Sequence, residues 1–156
     1  MFGKFSEGFK TLRPYRLPGD SIDLVEIPVT TMPVFKVPIH LSYVLYLGQF
    51  SPLLAMSYFR FAVMMCRITN VEPSLLLHPL DFLGKEDESD LGFFPAMNME
   101  SKSKLELAGK VIDYYASNFG VGTMMEHAER FGIGSRKKDR NLDVEAELNH
   151  VEKLTV

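Results

Sequence analysis

The chain has 156 residues and a formal net charge of −3 at pH 7, with 46% hydrophobic and 24% charged residues. This balance is typical of a soluble globular protein, and the length suits one domain with a core of its own. The negative net charge provides no electrostatic footprint for nucleic acid, so we expect no such partner. Cys66 is the single cysteine, which excludes an internal disulfide and favours a reducing, cytoplasmic location.

The beginning of the chain has few signs of regular structure. Met1–Arg16 contains no apolar run of the kind found in a signal peptide or a membrane anchor. Phe2–Asp20 is interpreted as a loop, and this opening suggests that part of the domain lies upstream. The alternating run Ile22–Val29 predicts the first strand, and Pro28 within it indicates an edge or terminal position.

Two helices are predicted next. His40–Leu47 is a short apolar stretch that Gly48 closes, which is typical of a short helix. Ser51 suits an N-cap, and proline at the following position suits the first turn, so a second helix should run to about Thr69. Because this helix has only a narrow polar stripe, we expect it to be buried on most of its surface or to lie against a membrane.

A leucine run and a long irregular stretch follow. Ser74–His78, with the sequence Ser-Leu-Leu-Leu-His, predicts a buried parallel strand that is covered on both faces. Pro79–Met99 has no regular pattern, and stretches of this length are either functional loops or disordered.

The last predicted elements are a helix, a strand and a short helix. Lys102–Asn118 predicts a helix, because its apolar residues fall at helical spacing on one face: Leu105, Ala108, Ile112, Tyr115 and Phe119. Val121–Thr123 is predicted as a brief strand. Thr123 and Glu126 have the spacing of a capping box, which should begin a helix that ends near Arg130.

The order of these elements predicts an α/β fold with a parallel sheet, because the strands alternate with helices. Three short strands suit a fraction of a larger barrel better than a complete domain. We therefore expect residues 1–131 to be part of such a domain and residues 132–156 to be a polar tail, in which Ser135–Arg140 is a solvated charge run.

The hexapeptide from Ser74 to Pro79 resembles the last motif of the polysaccharide deacetylase family, also called the NodB-homology domain. That motif is a hydrophobic residue, any residue and then histidine at the end of a late barrel strand, and Leu76, Leu77 and His78 occupy these positions. Four flanking segments are similar to one bacterial branch of the family, and the series covers most of the chain: Glu26–Pro33, Pro38–Tyr43, His78–Gly84 and Thr123–Ala128.

The resemblance implies that the chain is the C-terminal part of an irregular (β/α) barrel of the glycoside hydrolase and deacetylase type. It implies hydrolysis of N-acyl carbon–nitrogen bonds in a glycan or a lipid-linked saccharide. His78 would be the catalytic acid, and Leu76 would line the pocket for the acyl methyl group. Asp81, three residues after His78, would orient the imidazole or meet substrate hydroxyls, or else is simply a turn residue.

The family's first two motifs are not found in the chain, and Arg13-Pro14-Tyr15 resembles the family's arginine motif only superficially. The chain has no Asp-Asp pair, and no two of its four histidines lie close together in sequence. The resemblance therefore implies that a divalent metal, zinc or similar, and the catalytic base belong to an N-terminal half of the domain. We expect this chain alone to hold no metal and to be inactive.

The remaining candidate residues have simpler explanations. His40 is interpreted as a helix cap or a core histidine, His127 as a surface or core residue, and Cys66 as a small core residue. The main alternative function is a non-catalytic piece that binds a membrane or a partner through the apolar region Tyr43–Cys66. Such a protein, like the enzyme, would make peripheral contact with the inner face of the membrane.

Overall fold

The computed structural model describes residues 11–18, 24–88 and 90–131. They belong to two units, a larger one built from Ile27–Val121 and a smaller one that combines Pro14–Glu26 with the segment from Gly122 onward. The elements in chain order are β1 (Tyr15–Leu17), β2 (Leu24–Glu26), α1 (Leu41–Gly48), α2 (Pro52–Ile68), a 3₁₀ turn (Pro79–Phe82), α3 (Ser101–Asn118) and α4 (Met124–Arg130).

The described residues have mixed α/β structure, in agreement with the predicted class, but the prediction of a parallel sheet is wrong. β1 and β2 pair antiparallel, with Tyr15 opposite Glu26 and Leu17 opposite Leu24. The interpretation of Phe2–Asp20 as a loop is therefore wrong at β1. An antiparallel partner can come from a neighbouring segment of the chain, whereas a parallel partner requires a long crossover.

Two of the predicted strands are not strands in the structure. Ser74–His78 pairs with no strand among the described residues, and Leu77 is 43% exposed instead of being buried on both faces. Val121–Thr123 is exposed and leads into α4, whose N-cap is Thr123. Of the predicted strand Ile22–Val29, Leu24–Glu26 forms β2, whereas residues 27–29 are described and lie outside any strand.

The prediction of α1 and α2 is confirmed. The His40 ring accepts a hydrogen bond from the Tyr43 N–H and caps α1. Ser51 accepts the N–H of Leu54 at 3.3 Å, and a proline follows it at the first helical position of α2. These caps satisfy backbone donors that have no partner within the helix, which explains why both helices begin where the sequence indicated.

The helix α3 is confirmed, but the apolar face read from the sequence is not the one that is buried. The buried residues of α3 are Lys104, Leu107, Ala108 and Val111. Leu105 and Ile112 of the apolar face are exposed. The buried face was not evident from the sequence because it contains a lysine, and long charged side chains are almost never fully buried.

The core of the larger unit lies between α1, α2 and α3. Val44 and Leu45 of α1, Phe59 and Val63 of α2 and Val111 of α3 belong to one buried cluster. A second, smaller cluster contains Met32, Ile39, Ala62 and Cys66. The core thus joins the three helices to the segment that precedes α1.

The expectation that α2 is buried on most of its surface is only partly met. Leu53, Phe61 and Ile68 are exposed, and the last two line an open groove of about 590 Å³. No helix within the described ranges is long and apolar enough to span a bilayer. The charge run Ser135–Arg140 and the tail 132–156 lie outside the described residues.

The smaller unit contains a capped helix, as predicted. The Thr123 side chain accepts the Glu126 N–H, and the Glu126 carboxylate accepts the Thr123 N–H at 2.7 Å. These hydrogen bonds lower the pKa of Glu126 because they stabilise its charged form. The reciprocal capping box explains how a helix of seven residues begins at a defined position.

The acidic stretch after the 3₁₀ turn caps α3. The Glu86 carboxylate accepts the Ser101 N–H at 2.8 Å, and Asp87 accepts the Gly84 N–H at 2.8 Å and also the Ser101 hydroxyl. Backbone N–H groups lower the pKa of Glu86 and of Asp87. Negative charge at a helix N-terminus is favourable, so these two carboxylates have a structural role at the start of α3.

Gly84 is packed so closely against the start of α3 that a side chain would not fit. A Cβ atom there would overlap the backbone nitrogen of Ser101. We expect Gly84→Ala to lower the free energy of unfolding by about 1–3 kcal/mol, as overpacking does. Gly109→Ala is the matched control, since a Cβ at this helical position meets nothing within 4 Å.

The control should leave stability unchanged or raise it by about 0.5–1 kcal/mol, because alanine favours a helix over glycine. Urea unfolding of both variants measures the two effects. Equal stability changes in the two variants would contradict the close contact at Gly84.

Candidate active site at His78

The segment that leads to His78 is held by hydrogen bonds outside any sheet. The Ser74 N–H donates to the buried Thr30 hydroxyl at 2.7 Å. The Leu41 N–H, at the start of α1, donates to the Leu76 carbonyl at 3.1 Å. These contacts satisfy backbone groups that a ladder would otherwise satisfy. They also fix the segment against α1, so His78 is presented beside the first turn of that helix.

His78 is followed at once by the 3₁₀ turn, and Asp81 in this turn folds back onto it. The Asp81 Oδ2 atom accepts the His78 backbone N–H at 2.8 Å, and the Asp81 N–H donates to the His78 carbonyl at 3.0 Å. The Asp81 side chain is buried, whereas the His78 side chain is 48% exposed. The turn therefore buries the carboxylate beneath a histidine that faces solvent on one side.

Ser42 connects the two side chains. Its hydroxyl donates to Asp81 Oδ1 at 2.5 Å, and its Oγ atom lies 3.0 Å from His78 Nδ1. The direct distance from His78 Nδ1 to Asp81 Oδ2 is 3.8 Å, too long for a hydrogen bond. The carboxylate thus acts on the imidazole through the serine.

The contacts of Ser42 determine which nitrogen of His78 carries a proton when the ring is neutral. A serine hydroxyl has one proton and can donate one hydrogen bond. Here it donates that bond to Asp81, which is an acceptor when ionised. Oγ must then accept a hydrogen bond from Nδ1–H of His78. This tautomer leaves Nε2 with its lone pair.

The arrangement differs from that of a serine nucleophile. In a Ser-His-Asp triad the imidazole lies between the two other groups and takes the serine proton. Here Ser42 lies between Asp81 and His78, and its hydroxyl donates a hydrogen bond to the carboxylate. The geometry therefore orients an imidazole and does not activate a hydroxyl.

His40 is the second histidine at this site. Its ring lies edge-on to the His78 ring with centroids 6.1 Å apart. Burial and then the neighbouring His78 lower the pKa of His40, while Asp81 opposes them. A neutral His40 agrees with its role as the N-cap, because its Nδ1 accepts the Tyr43 N–H. The prediction of a cap is confirmed.

His78 itself is placed as follows. Its ring is half exposed and is not sealed in the core. Its position at the end of a strand is wrong, although its backbone is extended, with φ −116° and ψ 150°. Asp81 lies in a turn, as one of its two interpretations held, and its carboxylate accepts the hydroxyl of Ser42. Its role in orienting the imidazole stays a prediction. The catalytic role of His78 stays a prediction.

The other candidate residues are placed as follows. Leu76 is partly buried, and its role in lining an acyl pocket stays a prediction. Cys66 is a fully buried core residue, as predicted. His127 lies on α4 in the smaller unit, where its ring contacts that of Phe131.

Ser42 was missed as a site residue by the sequence analysis. It lies within the segment Pro38–Tyr43, which carries part of the family resemblance, but no role was assigned to it. It is 36 residues away from His78 in the chain. Only the fold brings the two together, so no local spacing pattern would have found the pair.

The family resemblance implies a divalent metal, and the described residues do not fit one. Within the described ranges, no group of three or more His, Cys, Asp or Glu side chains is placed to hold a metal ion. Catalytic zinc sites typically use three protein ligands.

Comparison of the chain with protein-family models, with curated proteins and with solved structures gave no match.

Proposed function

We propose that the chain provides the catalytic acid of a carbohydrate deacetylase, and that His78 is this acid. The substrate would be an N-acylated glycan or lipid-linked saccharide, and the reaction would be hydrolysis of its carbon–nitrogen bond. The proposal rests on the family resemblance around His78 together with one observation, the hydrogen-bonded series from Asp81 through Ser42 to the half-exposed imidazole.

The chemistry requires an acid because an amine leaves poorly as an anion. When the amide bond breaks, its nitrogen must receive a proton, and an imidazole that titrates near neutral pH suits this step. The Ser42 contact occupies Nδ1, so Nε2 would give the proton to the departing nitrogen. The Asp81 carboxylate, through its hydrogen bond from Ser42, would hold the ring in place for this transfer.

The remaining groups would come from another segment. A metal-bound water as nucleophile and a carboxylate as base are implied by the resemblance, and the proposal assigns both to an N-terminal half of the domain. In the complete enzyme that half and the present chain would form the irregular (β/α) barrel. The enzyme would work in the cytoplasm, at the inner face of the membrane.

The test compares the 156-residue chain with a longer protein that includes the in-frame coding sequence upstream of Met1. Metal content is measured by mass spectrometry, and acetate release is measured from N-acetylglucosamine oligosaccharides. We expect neither tightly bound metal nor turnover from the short chain, and both from the longer protein. Stoichiometric zinc with robust turnover in the short chain would overturn the proposal, and so would a metal-loaded longer protein without activity.

The alternative is a non-catalytic piece that binds a membrane surface or a partner. It is favoured by the exposed apolar side chains Phe50, Leu53 and Phe61, which lie within or beside the region 43–66. Co-sedimentation of the chain with anionic lipid vesicles tests it. Binding that is lost in a Leu53→Asp variant but unaffected by His78→Ala would support this function instead.

A further inference from the structure

Lys104 is buried in the larger unit, although lysine is ordinarily exposed. It lies in the first turn of α3 and is 0% exposed. Its Nζ atom donates to the carbonyl oxygens of Leu80 at 2.7 Å and Leu83 at 2.6 Å. The Met97 sulfur lies 3.5 Å from the same nitrogen. A buried lysine of this kind needs an explanation, because burying a charge is costly unless its donors are satisfied.

The three neighbours of Nζ indicate that the side chain is an ammonium. All three are acceptors, and an ammonium has three donors, whereas a neutral amine has two and a lone pair that would face an acceptor. Burial lowers the pKa of Lys104, and the carboxylates of Asp81 and Asp87 oppose this effect. The charge is thus supported by two carbonyls and two nearby carboxylates.

The two carbonyls belong to the turn that carries Asp81. Leu80 and Leu83 lie on either side of Asp81 in sequence, so one ammonium holds both ends of the short piece of backbone from which the carboxylate projects. The carboxylate in turn receives the Ser42 hydroxyl and the His78 N–H. A shift of this turn would therefore break the contacts that orient the imidazole.

We propose that Lys104 is a positioning residue for His78: it binds the turn 80–83 and thereby holds Asp81 against Ser42 and the His78 backbone. The catalytic consequence rests on the function proposed above. The structural consequence does not, since the orientation of His78 is measurable without any substrate.

The test is Lys104→Met, which keeps the length of the side chain and removes its charge and donors. Lys110→Met is the matched control, because Lys110 is an exposed lysine on the same helix. Nitrogen-15 NMR of the histidine rings gives the tautomer of His78, and amide hydrogen exchange reports its N–H bond to Asp81. Circular dichroism establishes the folded fraction of each variant.

We expect the unaltered chain and Lys110→Met to have the Nδ1–H tautomer of His78. In folded Lys104→Met we expect a mixture of tautomers, and roughly tenfold faster exchange of the His78 amide as its hydrogen bond is lost. A merely structural lysine would lower the melting temperature and leave the tautomer of the folded protein unchanged. That result would overturn the proposal.

If Lys104→Met does not fold, the unaltered chain provides the measurement. The lysine Nζ and aspartate Cγ signals are followed by NMR as alkaline pH removes the Lys104 proton. We expect the Asp81 Cγ signal and the His78 ring signals to shift with the same midpoint as Lys104 Nζ. Signals of Asp81 and His78 that ignore this titration would contradict the proposal. Neither readout depends on deacetylation, so failure of this proposal can be distinguished from failure of the proposed function.

Discussion

His78→Ala in the longer, metal-containing protein is expected to lower turnover by roughly 10²–10⁴-fold, which is the usual contribution of a positioned general acid. The metal content should stay unchanged, because the proposed ligands lie in the other half of the domain. The physical reason is that the departing nitrogen would lose its proton donor. Acetate release at saturating substrate, together with metal analysis of the same samples, measures both quantities.

His127→Ala is the matched control for this experiment. It removes the same ring from α4 in the smaller unit, where His127 contacts Phe131. We expect its turnover to remain within a factor of about two, since surface substitutions away from special features have small effects. Unchanged turnover in His78→Ala would contradict the assignment of His78 as the acid. Equal losses of turnover in the two variants would contradict it as well.

Phe59→Ala is expected to have the largest effect on stability. Phe59 is 1% exposed in the core cluster of α1, α2 and α3, and its ring lies edge-on to that of Tyr114. Truncation of such a residue leaves a cavity and should lower the free energy of unfolding by about 3–5 kcal/mol. Denaturant unfolding at constant slope measures the difference.

Phe61→Ala provides the comparison on the same helix. Phe61 is 42% exposed and lines the open groove on α2, so its loss should cost less than about 1 kcal/mol. A similar loss in both variants would mean that the faces of α2 are not divided between core and solvent as described.

The helices were predictable because their signals are local. Ser51 with the proline after it, and Thr123 with Glu126, satisfy the first backbone donors of their helices wherever the helices pack. The strands were not predictable. A run such as Ser74–His78 has the same composition whether its backbone pairs in a sheet or forms hydrogen bonds with Thr30 and α1.

The candidate site was predictable only at its local part. His78 and Asp81 are three residues apart, and a turn between them was foreseeable from the intervening proline. Ser42 and Lys104 reach the site from α1 and α3, so their roles depend on tertiary packing. Lys104 also made the buried face of α3 look polar in the sequence, since the sequence alone gives no reason to bury a charge.

The burial of Cys66 makes the protein suitable for site-specific labelling. It is the only thiol in the chain, and burial raises its pKa to about 11, so at pH 8 only about one thiol in a thousand is ionised. Maleimide reagents, which react with thiolates, should therefore leave it untouched. A single cysteine introduced at the exposed Leu53 would carry a fluorophore or spin label without prior removal of the native one.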